Sequence, residues 1–129
     1  MAKDYSEWHE IKSNIDTLEF RVLFQDREIW FCNLGLNVGF EQDGRGENYL
    51  RPVIVLKKFN NFMFFAVPLT KTVKSGKFYF PFVFKNDVTS TAILSQIRLL
   101  DAKRLRYKVG YVVKKDFEEL KTKLKQLLE

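Results

Sequence analysis

A chain of 129 residues, 46% of them hydrophobic, suits one compact domain and leaves no room for a second independent core. A formal net charge of +6 favours an anionic partner: nucleic acid, an acidic protein or a membrane surface. The single cysteine, Cys32, excludes an internal disulfide, and no secretory leader or run of ~20 apolar residues is present, which predicts a cytoplasmic protein without a membrane span.

Residues 4–20 read as an amphipathic helix, because Trp8, Ile11, Ile15 and Leu18 recur at three- and four-residue steps. Asp4 and Ser6 both qualify as its N-cap. Residues 27–34 read as a first strand, in which Cys32 is a small core residue rather than a nucleophile. Gly35, Gly39, Gly44 and Gly46 then mark a long polar loop. Residues 51–57 form a β-branched strand opened by Pro52, and Asn60-Asn61 reads as a tight hairpin turn into a strand over 62–69. Ser75-Gly76 is the next turn. Residues 77–84 read as a third long strand, with Pro81 signalling an edge or a bulge. Residues 91–100 and 106–113 supply two shorter strands. A last helix runs from Lys114 or Lys115 to Leu128, with Phe117, Leu120, Leu124 and Leu127 on its apolar face. Many of the 13 Phe, 5 Tyr and 2 Trp fall in alternating runs such as Phe78-Tyr79-Phe80-Pro81-Phe82-Val83-Phe84, as large core residues on strands do. Short strands in series with helices at the ends predict a mainly β (α+β) fold, a small curled antiparallel sheet or barrel. We expect one domain over 1–129, with 1–25 as a helical extension and 26–129 as the barrel and its C-terminal helix.

Several chemistries lack their residues. The one histidine, His9, lies on the predicted N-terminal helix, away from any Ser-His-Asp arrangement. No Cys/His set has zinc spacing, no carboxylates group for a two-metal site, and the glycines do not lie between a strand and a helix as a phosphate loop requires. The sequence therefore points to no metal and no cofactor.

Three blocks carry a different signal. Val38-Gly39-Phe40-Glu41-Gln42-Asp43-Gly44 leads to Arg51-Pro52-Val53-Ile54-Val55-Leu56; Pro68-Leu69-Thr70 follows, and then Ser95-Gln96-Ile97-Arg98-Leu99-Leu100-Asp101. In this order and spacing the chain resembles the MazF/PemK family of toxin-antitoxin endoribonucleases over roughly residues 27–128. The resemblance implies an SH3-like antiparallel barrel and a metal-independent, sequence-selective cut of single-stranded RNA. It also implies a homodimer neutralised by an acidic antitoxin, with DNA contacted only through that antitoxin. Family members enter their first strand after Arg-Gly-Asp/Glu; here Asp26-Arg27-Glu28 lacks the glycine, and the first ~25 residues have no counterpart.

In such a cut the RNA 2′-OH attacks the adjacent phosphate, leaving 2′,3′-cyclic phosphate and 5′-OH ends. The protein must orient the attack, stabilise added charge and help move two protons. The resemblance puts Arg51 and Thr70 at the catalytic positions. Their chemistry meets these needs, since a guanidinium fork pairs two phosphate oxygens and a hydroxyl donates or accepts. A hairpin of 51–57 with 62–69 also brings both residues to one open end by antiparallel geometry alone.

The substrate-binding candidates form a second tier. The resemblance places Glu41 and Gln42 on a loop that approaches RNA. Glu41 either orients Arg51 or helps a proton, or it accepts a loop N–H. Phe40 stands where many relatives have a small polar residue. The loop before Arg51 is longer than in many relatives, and its Tyr49 offers a ring to a base. Lys71, with Lys74 and Lys77, suits a phosphate track or a solvated strand end. Strand alternation puts Gln96 and Arg98 on one face, Gln96 toward a base edge or a backbone anchor and Arg98 toward a phosphate or Asp101. Ser95 replaces an acidic residue of some relatives. The alternative to an enzyme is a non-catalytic nucleic-acid- or protein-binding barrel, like the gyrase-poisoning toxin on the same fold, or an adaptor working through the N-terminal helix.

Overall fold

The computed structural model describes residues 22–34, 50–85 and 87–129. The predicted helix at 4–20 and the loop of Gly35, Gly39, Gly44 and Gly46 lie outside the described residues. Among the described residues, seven strands and one helix follow in order: β1 (Glu28–Asn33), β2 (Leu50–Lys58), β3 (Met63–Thr70), β4 (Tyr79–Lys85), β5 (Val88–Ile93), β6 (Arg98–Asp101), β7 (Leu105–Tyr111) and α1 (Lys114–Leu127). Every pairing is antiparallel. The strand order is β4-β5-β3-β2-β1-β7, with β6 also on β3. The result is mainly β: a curled antiparallel half-barrel with a C-terminal helix, as the strand pattern predicts.

The central strand β2 forms where the sequence supplies apolar side chains to two faces at once. On β2, Ile54 and Leu56 enter one core with Ile29, Val67, Leu69, Phe80, Phe82, Phe117 and Leu120. Val53 and Val55 enter a second core with Phe24, Trp30, Cys32, Phe64, Ala66 and Leu100. A strand buried on both faces needs a continuous apolar run, which Val53-Ile54-Val55-Leu56 provides. Helix α1 covers the first core through Phe117 and Leu120, with Leu124 and Leu127 packed at its margin. Asp116 in its first turn and Lys125 in its last complement the helix dipole, and Lys123 Nζ donates to the Tyr79 carbonyl at 2.6 Å. No helix among the described residues is long and apolar enough to cross a membrane.

Three predicted boundaries move. The β2–β3 connection is four residues, because Asn60 Oδ1 accepts from the N–H of Phe62 (2.7 Å) and Met63 (3.0 Å) and so builds the turn itself. The third long strand begins at Tyr79 rather than 77, since Gly76 (φ +119°) opens a turn closed by Tyr79 N–H to Gly76 C=O, 3.2 Å. The predicted strand over 91–100 is two strands. Leu94 is buried in the first core, its N–H donates to the Phe78 carbonyl at 2.8 Å, and Leu94–Gln96 form a 3-10 turn. The chain thereby passes from β5, on the C-terminal half of β3, to β6, on its N-terminal half. Pro81 does mark an edge: β4 is the outermost strand on its side.

Candidate active site

Arg51 and Thr70 come together because the β2–β3 ladder stops just short of them. Its register pairs Val53 with Pro68, Ile54 with Val67 and Val55 with Ala66. Two more steps bring Arg51 opposite Thr70. Pro52 and Pro68 both lack an N–H, and the ladder runs no further than Val53–Pro68. Beyond that rung opens a cleft of about 310 Å3, lined by Phe31, Leu50, Arg51, Pro52, Leu69, Thr70 and Lys71. Both candidate residues are half-buried, within reach of a ligand and partly screened from water.

Each is held by a different neighbour. Arg51 pairs across β1 with Cys32. Thr70 pairs across β5 with Thr91, a fully buried threonine. Thr70 Oγ1 accepts from the Thr72 N–H at 3.2 Å, and Thr91 Oγ1 accepts from the Lys74 N–H at 3.3 Å. Two hydroxyls on adjacent strands thus fold residues 71–74 back over the strand end, with Lys71 on the cleft wall. Lys71, Lys74 and Lys77 are all exposed. Lys74 and Lys77 lie over the rings of Tyr79 (5.5 Å) and Phe78 (5.3 Å), so only Lys71 of the three faces the cleft.

Cys32 is fully buried, and burial pushes its thiol up to about 12, against the opposing pull of Arg106 and Arg104. A thiol so placed stays protonated and inert, the core role read from the sequence. Among the described residues no group of three His, Cys, Asp or Glu side chains converges.

The remaining predicted site residues divide in two. Phe40, Glu41, Gln42 and Tyr49 lie outside the described residues. Gln96 and Arg98 are exposed, but neither lines the cleft. Gln96 ends the 3-10 turn, so strand alternation does not place it on one face with Arg98. Arg98 pairs with Ala66, four residues before Thr70 on β3, or ~13 Å along the strand at about 3.3 Å per residue. Asp101 Oδ1 instead accepts from the Lys103 N–H at 2.8 Å, capping the 3-10 turn at Ala102–Arg104. Phe31, Leu50, Pro52 and Leu69 are the cleft residues that sequence reasoning missed. Phe31 follows Trp30 on an alternating strand, so its face was readable; that it reaches the Arg51 end follows only from the β1–β2 register, Phe31 to Pro52.

Comparison with known proteins fits this geometry. Residues 25–128 match the family model described as PemK-like, MazF-like toxin of type II toxin-antitoxin system. The fold is shared with MazF of Deinococcus radiodurans (TM-score 0.66, 22% identity, covering 83% of this chain and 97% of that one). It is also shared with a Mycobacterial endoribonuclease solved in complex with its cognate antitoxin (0.64, 17%, 82% and 95%). The Mycobacterium tuberculosis toxin MazF-mt6 is similar (0.61, 17%, 79% and 96%). No curated protein sequence matches the chain.

Proposed function

Because the chain belongs to the PemK-like, MazF-like toxins of type II toxin-antitoxin systems, we propose that it is a metal-independent endoribonuclease cutting single-stranded RNA at the Arg51–Thr70 cleft. The observation that carries this reading is the register that sets an arginine opposite a threonine past the last β2–β3 rung. The scissile phosphate sits between them. The Arg51 guanidinium pairs its two non-bridging oxygens and stabilises the charge added as the 2′-oxygen attacks phosphorus. The bond from phosphorus to the 5′-oxygen breaks, leaving a 2′,3′-cyclic phosphate and a 5′-OH. Thr70 donates a hydrogen bond to the phosphate while its Oγ1 lone pair holds the Thr72 N–H. The proton lost from the 2′-OH goes to a base, for which Glu41 is the candidate, and the leaving 5′-oxygen takes its proton from water. Gln42, Phe40, Tyr49, Lys71, Gln96 and Arg98 contact the RNA around this centre.

Positive charge on the chain suits both RNA and an acidic antitoxin that competes for the same surface. The Mycobacterial neighbour solved with its cognate antitoxin supports that partnership. We further read the protein as a single-domain cytoplasmic homodimer, with any DNA contact made through the antitoxin.

The test is incubation of purified, antitoxin-free protein with mixed-sequence RNA in EDTA, beside Arg51→Ala and Thr70→Ala. Cleavage with 5′-OH and cyclic-phosphate ends, lost in both variants, is the expected result. Intact RNA across many sequences, from demonstrably folded protein, overturns the reading in favour of a binding-only barrel.

A further inference from the structure

Phe31 lines the cleft beside Arg51, and its ring lies almost parallel to that of Tyr107, 11° apart with centroids 5.0 Å apart. The registers set Phe31 between Pro52 on β2 and Tyr107 on β7. At ~4.8 Å per strand, Tyr107 therefore stands about 10 Å across the sheet from Pro52. β7 is the last strand of the sheet, so among the described residues no further strand lies beyond Tyr107. Phe31 is half-buried, while Tyr107 remains 50% exposed. A pair formed only for stability gains most when both rings leave water; this one leaves the inner ring half-buried and keeps a broad aromatic surface outside.

The surroundings indicate what the open ring meets. Arg106 and Lys108 flank Tyr107 on β7 and are exposed. Arg106 Nη1 donates to the Lys103 carbonyl at 2.7 Å, and Lys108, opposite Trp30 in the β1–β7 register, pairs with Glu28 at 3.3 Å on the sheet face away from the ring. A flat, half-exposed π-surface about 10 Å from the Pro52 wall of a cleft that holds Arg51 and Lys71 is an arrangement that single-stranded nucleic acid uses, with bases stacked and backbone neutralised. Phe31 packs one face of Tyr107 and fixes its orientation, which lowers the ordering cost of binding on the other.

We propose that Tyr107, backed by Phe31, is a stacking platform for a nucleobase of the RNA, one or two nucleotides from the phosphate held at Arg51. This rests on the ribonuclease reading of the cleft. The platform accepts any base, since every base has a π-face, and contributes affinity and strand direction rather than sequence choice.

The test measures binding apart from cleavage. Mixed-sequence 2′-O-methyl RNA, which lacks the attacking hydroxyl, is titrated by fluorescence anisotropy against wild type, Tyr107→Ala, Tyr107→Trp and Arg51→Ala at several salt concentrations. Tyr107→Ala is expected to weaken binding roughly 5- to 150-fold. Its plot of log Kd against log salt keeps the wild-type slope, because no phosphate contact is lost, and Tyr107→Trp restores affinity. Arg51→Ala shows the opposite signature, a shallower slope. If folded Tyr107→Ala binds within twofold of wild type, or if Tyr107→Trp is as weak as Tyr107→Ala, the platform is wrong while the cleft reading survives. If wild type binds no such RNA even at low salt, both fail.

Discussion

Arg27 is where this chain departs most plainly from the Arg-Gly-Asp/Glu opening of its relatives, and the structure gives that departure a measurable energy. Its φ is +80°, a left-handed conformation that costs an L-residue ~1–2 kcal/mol and a glycine almost nothing. The backbone is held there from both sides: the Arg27 N–H donates to the Val55 carbonyl and its carbonyl accepts from the Val112 N–H, each at 2.8 Å. The side chain adds a bond from Nε to the Val112 carbonyl at 3.0 Å and lies 5.5 Å over the Tyr111 ring. At a half-exposed site the bond contributes about 1 kcal/mol and the ring contact about 0.5 kcal/mol. Arg27→Ala loses both and keeps the strained φ, so it should destabilise the fold by about 1.5 kcal/mol. Arg27→Gly loses the same contacts but releases about 1 kcal/mol of strain, leaving it within roughly 0.5 kcal/mol of wild type. Urea unfolding followed by intrinsic tryptophan fluorescence, with m checked for constancy, measures both. If the alanine variant is as stable as the glycine variant, the backbone at 27 is unstrained and the reasoning is wrong. If both equal wild type, the guanidinium contacts contribute nothing.

Three further outcomes follow from the same geometry. Arg51→Lys keeps the charge but loses the planar fork; kcat for RNA cleavage should fall about 10²-fold or more while the salt slope of RNA binding is retained, and equal loss in both would place Arg51 in binding alone. Thr91→Val removes the hydroxyl that accepts the Lys74 N–H; we expect about 1 kcal/mol of lost stability in urea unfolding and a raised KM with little change in kcat, whereas an unchanged KM would detach the 71–74 segment from substrate binding. The thiol of Cys32 is raised from 9.0 to about 12, so its stabilising contribution is whole below pH 9 and declines as pH rises from 9 toward 12. Wild type should lose stability faster than Cys32→Ala between about pH 8 and 10.5 in thermal melts, and parallel curves would contradict the burial of the thiol.

What the sequence revealed, and what it concealed, has a physical pattern. Strands β1, β2 and β3 and helix α1 were legible because each carries one uninterrupted pattern, a continuous apolar run on β2 and a helical period on α1. Arg51 and Thr70 could be paired in advance because a hairpin is a local object: its turn fixes which residues meet. The 91–100 region was misread because Ala92, Ile93, Leu94, Ile97, Leu99 and Leu100 form an apolar run that fits a single strand as well as two. Only the demand that Leu94 fill the first core, on a different part of β3 from Leu100, reveals the break. The start of β5 at Val88 was missed as well, although Asn86-Asp87 is a turn signal, and Asp87 adopts φ +60°. Phe31 stayed hidden as a cleft residue because β1 and β2 are far apart in the sequence, so no short hairpin turn fixes their register in advance.

Strand β3 explains why the candidate site sits where it does. Its N-terminal half pairs with β6, its last residues pair with β5, and β2 runs along its other side. Thr70 is therefore positioned by β5 and Arg51 by β1, and the two are related only through the β2–β3 ladder that ends at Val53 and Pro68. Val53, two residues from Arg51, and Leu69, beside Thr70, belong to opposite cores. Strands β2 and β3 each send side chains into both cores, so each core holds both walls of the cleft. Loosening either core is expected to displace both groups, and under the proposed mechanism double mutants in separate cores add in stability while their losses in cleavage do not.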